Sequence, residues 1–285
     1  MVKSLAWWTA NTGAILVSPL LYIPGFNVYR IVFDLMHTLD LGVMQDIASS
    51  LLWQLTEDKA DGGIYDGDSK SSRFATAYND YCEWVKRENL PAAAKARRFK
   101  HSQWRKDNKF PSISQQVMKA ATLRSFQYYL LEKCLEPSAM TTEAGCMRAA
   151  MMREFVAADV VMRGASKFLT ADQRAKLIDH FEGALVAYGW LAAWAAHSDL
   201  NLYPVHPKAH ALLHIAIDFG VNPRRTACYL DEDMVGRSKR IYNGCHGASA
   251  PRRSLERYLI IVGLRWISVI RRHRLAALRD YNRGA

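Results

Sequence analysis

Cysteine is scarce in this 285-residue sequence, and its spacing is irregular. The five cysteines are odd in number and include no CxxC pair, which argues against a disulfide framework and indicates a reducing, intracellular compartment. Half of the residues are hydrophobic and 23% are charged. This composition excludes an intrinsically disordered chain and allows a substantial buried core.

Charged residues are absent from Ser4 to Tyr29. This stretch is interrupted by Pro19 and Gly25 and has no clear small-residue cleavage site, so it predicts a buried strand or hairpin rather than a signal peptide or membrane anchor. A later apolar run, from Tyr258 to Ile270, contains Arg265 and is too short to span a bilayer. A membrane is therefore not the favoured partner.

Acidic residues are almost missing from the C-terminal segment. Twelve Lys or Arg and two acidic residues lie between Arg237 and Ala285, so this segment carries +10 of the formal charge of +11. Such a localised basic surface predicts a polyanionic partner, and contact with a nucleic-acid backbone is the favoured explanation. A helix is predicted from Pro251, with Leu259 among its core-facing residues. The predicted nucleic-acid contacts here are Arg252, Arg253, Arg257, Arg271, Arg272 and Arg274.

A second basic stretch, Lys95 to Phe110, interleaves cations with aromatic residues. Two interpretations are open. The cations, Lys106 among them, could neutralise phosphates while Phe99, Trp104 and Phe110 stack on bases. Alternatively, the stretch is a solvated linker whose aromatic residues are tucked into the core.

The segment from Tyr29 to Leu55 changes its periodicity at Asp34. Tyr29 to Phe33 predicts a short buried strand ending at that carboxylate. From Leu39 to Glu57 the apolar residues follow one helical face, with Asp40 and Asp46 on the other side. Asp34 either caps the following turn or is a functional group at a strand end.

Helices are predicted through the middle of the chain. A loop at 59–72 precedes a helix from Phe74 to Glu88. Two Ser/Thr-x-x-Gln capping boxes are predicted to open helices, one at Ser112 leading to Leu135 and one at Thr170 leading to Ala196. A further helix is predicted from Thr142 to Phe168.

Histidines recur every four residues in the next segment. If a helix begins at Pro207, His210 and His214 share a face. A zinc protease motif would place a Glu beside the first histidine, and none is present, so a structural or hydrogen-bonding role is favoured. The acidic trio Asp231 to Asp233 opens a later predicted helix, and it suits either the helix dipole or a magnesium site.

Three short motifs together resemble the later part of eukaryotic cut-and-paste DDE transposases. They are D-L-M-H with L-D-L-G-V after it (Asp34 to Val43, including His37), K-A-A-T-L-R-S-F (Lys119 to Phe126), and H-P-K-A-H-A-L-L-H followed by the acidic trio. The resemblance covers about Tyr29 to Ile241. It implies a mainly α chain in which a helical bundle or insertion accompanies a small remnant sheet of RNase H-like type.

The resemblance also implies domains and a site. Residues 1–58 would belong to the RNase H-like core, 59–200 to the helical insertion, and 201–285 to returning helices with a basic face. Asp34 and Glu232 would be catalytic and, with Asp231, would hold Mg²⁺ for strand transfer at a DNA phosphate. The first aspartate of the family has no counterpart in this sequence, because the 33 residues before Asp34 contain no Asp or Glu. The chain would therefore be either a fragment or a derived protein that cannot assemble the three-carboxylate site by itself.

The expected function is therefore a transposase-derived nucleic-acid-binding protein, nuclear and preferring DNA, that is weakly active or inactive by itself. A homo-oligomer is left open. The alternative is a non-catalytic helical interaction module whose basic face binds RNA, an acidic protein or an anionic membrane.

Overall fold

The computed structural model describes residues 33–57, 62–104, 109–217 and 220–229, with positions 239, 241–243, 253, 256, 257, 259, 260, 264 and 267 of the C-terminal segment. The chain forms two compact units, Met1–Ala227 and Cys228–Ala285. The domain boundaries expected after residues 58 and 200 remain predictions.

The described part of the first unit is mainly helical, which confirms the coarse fold class. Its β pairing is confined to one antiparallel bridge between Phe168 and Val221, so an RNase H-like sheet is not seen among these residues. The helices are α1 (Met36–Val43), α2 (Met44–Leu55), α3 (Lys70–Arg87), α4 (His101–Trp104), α5 (Ala120–Cys134), α6 (Glu143–Gly164), α7 (Ala171–His197) and α8 (Pro207–Ile217).

The strand expected before Asp34 lies almost wholly outside the described residues. At Phe33, the last position of that strand, the backbone is irregular and the side chain is 51% exposed, so the prediction of a buried strand residue is wrong there. The physical reason is that the chain turns directly into α1, a wide π-type helix. π-type turns of this kind are frequently found at functional sites.

Gly42 interrupts α1 and lets α8 come close. Its backbone leaves the helical region, with φ −122° and ψ −105°. A Cβ at this position would lie 2.6 Å from Cδ of Lys208 and 2.9 Å from the carbonyl oxygen of His37. The ammonium of Lys208 donates to the Leu41 carbonyl at 3.3 Å. The flexible Lys208 side chain could move aside, but the His37 carbonyl is backbone, so the close approach of this carbonyl is what requires glycine here.

The apolar face predicted for α2 is buried, including Ile47 and Leu51. The polar face is not exposed as expected, because Asp40 is only 3% accessible. α8 packs against α1 and covers the second side of this region. A helix that appeared amphipathic in the sequence is thus covered on two sides.

One of the two predicted capping boxes is wrong. α5 begins at Ala120 rather than after Ser112, because the chain after Ser112 is irregular and turns at residues 115–117, while Ile113, Val117 and Met118 pack into the core. Ile113 is fully buried and its backbone N–H donates to the Ser49 hydroxyl at 2.9 Å. The box at Thr170 is confirmed, since the Thr170 hydroxyl accepts from the backbone N–H of Gln173 and the Gln173 side chain accepts from that of Thr170.

Asp159, on α6, is a buried junction between elements. Its side chain is 3% exposed. The Tyr128 hydroxyl of α5 donates to it at 2.5 Å, and the guanidinium groups of Arg163 and Arg224 lie 2.9 and 3.1 Å away. One carboxylate thus accepts a hydrogen bond from a phenol, pairs with two cations and joins α5, α6 and the turn after α8. Nη2 of Arg224 lies at ion-pair distance from this carboxylate but forms no hydrogen bond.

In the C-terminal unit, the described residues from 253 onwards are helical and exposed. Leu259, expected to face the core, is 58% exposed, because the described face of this helix has no cover over it. None of the helices within the described ranges has both the length and the apolar character that crossing a bilayer demands.

Candidate nucleic-acid interface

Asp34 caps the first helical turn. Its Oδ2 accepts the backbone N–H of His37 at 2.9 Å and lies 2.6 Å from Nδ1 of the same histidine. The Asp34 side chain is 16% exposed and that of His37 47% exposed. This is the capping geometry that the sequence allowed for, and it fixes the carboxylate against its own helix.

The other carboxylates of the expected catalytic site, Asp231 and Glu232, lie outside the described residues. Whether they converge on Asp34 therefore stays a prediction. Among the residues that are described, no group of three or more His, Cys, Asp or Glu side chains is arranged to hold a metal ion. The magnesium site remains a prediction for the same reason.

The helix predicted from Pro207 is confirmed, and it places His210 and His214 on one face. Their Nε2 atoms are 3.0 Å apart and their rings meet edge to face, with centroids separated by 4.7 Å. The ring of Phe33 lies 6.1 Å from that of His214. The two histidines thus hydrogen-bond each other, which is the kind of role that the sequence favoured.

Asp46, in the first turn of α2, is a charged group whose environment the sequence did not reveal. Burial raises the pKa of this carboxyl from 3.8 to about 6, although the positive charges of His206 and Lys208 act in the opposite direction. The His206 ring nitrogen Nε2 lies 3.8 Å from the carboxylate. The signal that could have exposed this pairing is long-range, since α8 brings both basic groups to α2.

A basic groove lies in the first unit, within the stretch where the sequence interleaves cations and aromatics. It encloses about 440 Å³ and is lined by Arg97, Arg98, Lys100, Ser102, Ser114, Gln116 and Val117. The three cations are exposed, and none of them forms an ion pair with another residue that the structure describes. The groove therefore carries three uncompensated positive charges beside two hydroxyls and an amide.

The groove is held in place by aromatic residues beneath it. Phe99 and Trp104 are 2% and 1% exposed, and their ring centroids lie 5.2 Å apart. Trp104 also contacts Phe74 of α3, and the Arg97 backbone N–H donates to the Val117 carbonyl at 3.0 Å. Each of the two open interpretations of this stretch thus holds in part: Phe99 and Trp104 belong to the core, while the lysines and arginines that the structure describes face solvent.

The remaining predicted contacts are only partly described. Arg253 and Arg257 are helical and exposed in the C-terminal unit. Lys106, Arg252, Arg271, Arg272 and Arg274 lie outside the described residues. Their roles stay predictions.

Comparison with protein-family models, with curated proteins and with solved structures finds no match. The transposase resemblance accordingly remains a hypothesis that rests on the motifs alone.

Proposed function

We propose that this protein binds nucleic acid, with DNA preferred, and that the basic groove is one of its contact surfaces. The observation that carries the proposal is the set of three exposed, uncompensated cations around a single cavity, Arg97, Arg98 and Lys100. Guanidinium groups pair with phosphate in a planar, two-point geometry, and the neighbouring hydroxyls can donate to phosphate oxygens. The basic C-terminal segment, which includes Arg253 and Arg257, would be a second contact surface.

The groove is suited to the phosphate backbone rather than to the bases. Stacking on bases needs accessible aromatic faces. The rings of Phe99 and Trp104 are buried under the loop, and Phe110, which is 45% exposed, does not line the groove. Phosphate contacts fix the position of a protein on its ligand without selecting a sequence. Binding through the groove should therefore show little sequence preference and a strong dependence on salt.

A salt titration tests the proposal. Fluorescence anisotropy of a labelled duplex is measured between 50 and 200 mM salt for the wild type and for the triple variant Arg97→Gln, Arg98→Gln, Lys100→Gln. Loss of three phosphate contacts should make the slope of log affinity against log salt shallower by about 2.7. At the lowest salt the affinity should fall most, because counterion release is then most favourable.

The matched control removes the same charge elsewhere. Lys86, Arg153 and Lys167 are exposed cations of the first unit that do not line the groove, and their triple glutamine variant should keep the wild-type slope. An equal loss in both variants would show that overall charge, not the groove, governs binding. A wild-type affinity for the duplex that is independent of salt would contradict the proposal that the protein binds nucleic acid through its phosphates.

The transposase origin is part of the same proposal. Asp34 and Glu232 would belong to a magnesium site whose first aspartate is not among these 285 residues, so this chain by itself should bind DNA without efficient strand transfer. Incubation of the purified protein with supercoiled plasmid and Mg²⁺ should give little nicking. Strong nicking that Asp34→Asn abolishes would contradict the loss of activity.

The alternative function, a helical interaction module, is favoured by one observation in the C-terminal unit. Exposed side chains there are spaced three or four residues apart, which puts them on one face of the helix. The stripe runs from cationic to apolar and contains Arg253, Arg257, Ile260, Leu264 and Ile267. An acidic protein partner would then bind this face, and Leu264→Asp should abolish that binding while leaving the salt slope of DNA binding unchanged.

A further inference from the structure

The histidine pair on α8 has a geometry that its hydrogen bond does not fully use. His210 and His214 are one turn apart, and their Nε2 atoms point at each other across 3.0 Å. A neutral imidazole has one donor and one acceptor nitrogen, so the contact needs a single shared proton. Both Nε2 atoms also lie close to one point on the same side of α8, which an ion could occupy once the two rings rotate.

That point suits a metal ion. Zinc is bound by imidazole at about 2.0–2.1 Å with tetrahedral angles, which separates two ligand nitrogens by about 3.3 Å. The pair would have to open by only about 0.3 Å, which is within the reach of a small side-chain rotation. His210 is exposed and His214 is half-buried, so the site is open to solvent and water can complete the coordination.

The backbone under the pair is already ordered. α8 begins at Pro207 and buries Leu212, Ile215 and Ala216 on its inner side, so the spacing of the two histidines is set by the helix itself. A chelate with fixed ligands loses little conformational freedom on binding. The pair is therefore prepared for a metal rather than assembled by it.

We propose that His210 and His214 form a two-histidine chelate for a divalent d-block ion, with Zn²⁺ the most available choice. Imidazole ligands favour zinc, copper and nickel, whereas magnesium takes oxygen ligands. The site is thus distinct in chemistry from the magnesium site expected at Asp34 and Glu232, and it does not depend on nucleic-acid binding. In the ring that donates the hydrogen bond, the Nε2 proton would move to Nδ1 by exchange with solvent, so that both Nε2 lone pairs become available to zinc and both imidazoles stay neutral.

Zinc binding at this pair would also affect the start of α1. The ring of His214 contacts that of Phe33, and Phe33 precedes the capping residue Asp34. Zinc would fix the His214 ring and, through it, the packing of Phe33. Protection of the amide of His37, which Asp34 caps at 2.9 Å, should therefore rise when zinc binds.

Calorimetric titration of the full chain with ZnCl₂ is the test, followed by reversal with a chelator. The variants His210→Gln and His214→Gln should each weaken the site roughly tenfold or more, because either change leaves a single ligand. His197→Gln is the matched control, since His197 is also an exposed helical histidine but bonds the Ala193 carbonyl at 2.8 Å; it should bind zinc as the wild type does.

The outcomes separate cleanly. Loss of the same zinc equivalent in both variants, with unchanged helical circular dichroism, supports the chelate. A zinc isotherm that survives His210→Gln, or that only one of the two substitutions changes, overturns it. Absence of any zinc binding by the wild type overturns it as well.

Discussion

Replacing Asp46 by asparagine should stabilise the protein at neutral pH, and this stabilisation should disappear in acid. The carboxyl is 21% exposed in the first turn of α2, and burial raises its pKa to about 6 from 3.8. An ionised group in this setting has lost much of its hydration, which the positive charges of His206 and Lys208 only partly replace. Asparagine has nearly the same shape and carries no charge.

The direction in which stability changes with pH follows from proton uptake by Asp46. In the unfolded chain the Asp46 carboxyl releases its proton near pH 3.8, whereas in the folded protein it holds the proton until about pH 6. Between these values the folded state binds more protons, so its stability falls as the pH rises and stays at the lower level above pH 6. The shift corresponds to roughly 3 kcal/mol at neutral pH.

Urea denaturation at a series of pH values measures this contribution. The free energy of unfolding of Asp46→Asn minus that of the wild type should increase by roughly 2–3 kcal/mol from pH 4 to pH 7. Asp172→Asn is the control, because that carboxylate is 71% exposed, and its difference should stay flat. A difference for Asp46→Asn that is equally flat would refute the claim that burial of this carboxyl destabilises the fold.

Two further substitutions test how the helices are held. Thr170→Ala removes a confirmed capping box and should lower the free energy of unfolding, measured in urea, by about 1 kcal/mol. Thr141 is exposed and lies outside such a box, so Thr141→Ala should change this free energy little. Equal effects of the two substitutions would contradict the capping role. Asp159→Asn leaves Arg224 and its neighbours without their buried counter-charge and should cost about 3 kcal/mol. A thermal midpoint unchanged from the wild type would show that the junction contributes nothing.

Local sequence patterns predicted those helix boundaries that local interactions determine. Thr170 and Gln173 form a reciprocal cap, and Pro207 begins α8, because both effects act within one turn. The pattern at Ser112 has the same form and failed, since Ile113 is held against α2 by burial and by a bond to Ser49. Tertiary contact overrode a valid local signal.

The burial of the charged residues could not be predicted in the same way. Asp40 and Asp46 occupy the polar side of a helical pattern, and residues far along the chain surround them. α8 packs on α1, which carries Asp40, and the charges of His206 and Lys208 and the Tyr188 side chain lie near Asp46. The stretch from Lys95 to Phe110 shows the same limit. Its composition marked the stretch as basic and aromatic, but only the packing shows that the rings of Phe99 and Trp104 face the interior while Phe110 is 45% exposed.

The ring contacts beneath the basic groove restrict how a ligand can be accommodated. Phe99 packs against Tyr78, Tyr81, Trp104 and Phe126, so the loop that carries the cations cannot swing outward without opening the interior of the protein. In any complex the protein backbone would keep its shape, and a flexible strand or a bent duplex would have to make the adjustment. Such a surface should bind nucleic acids that deform easily more tightly than stiff ones.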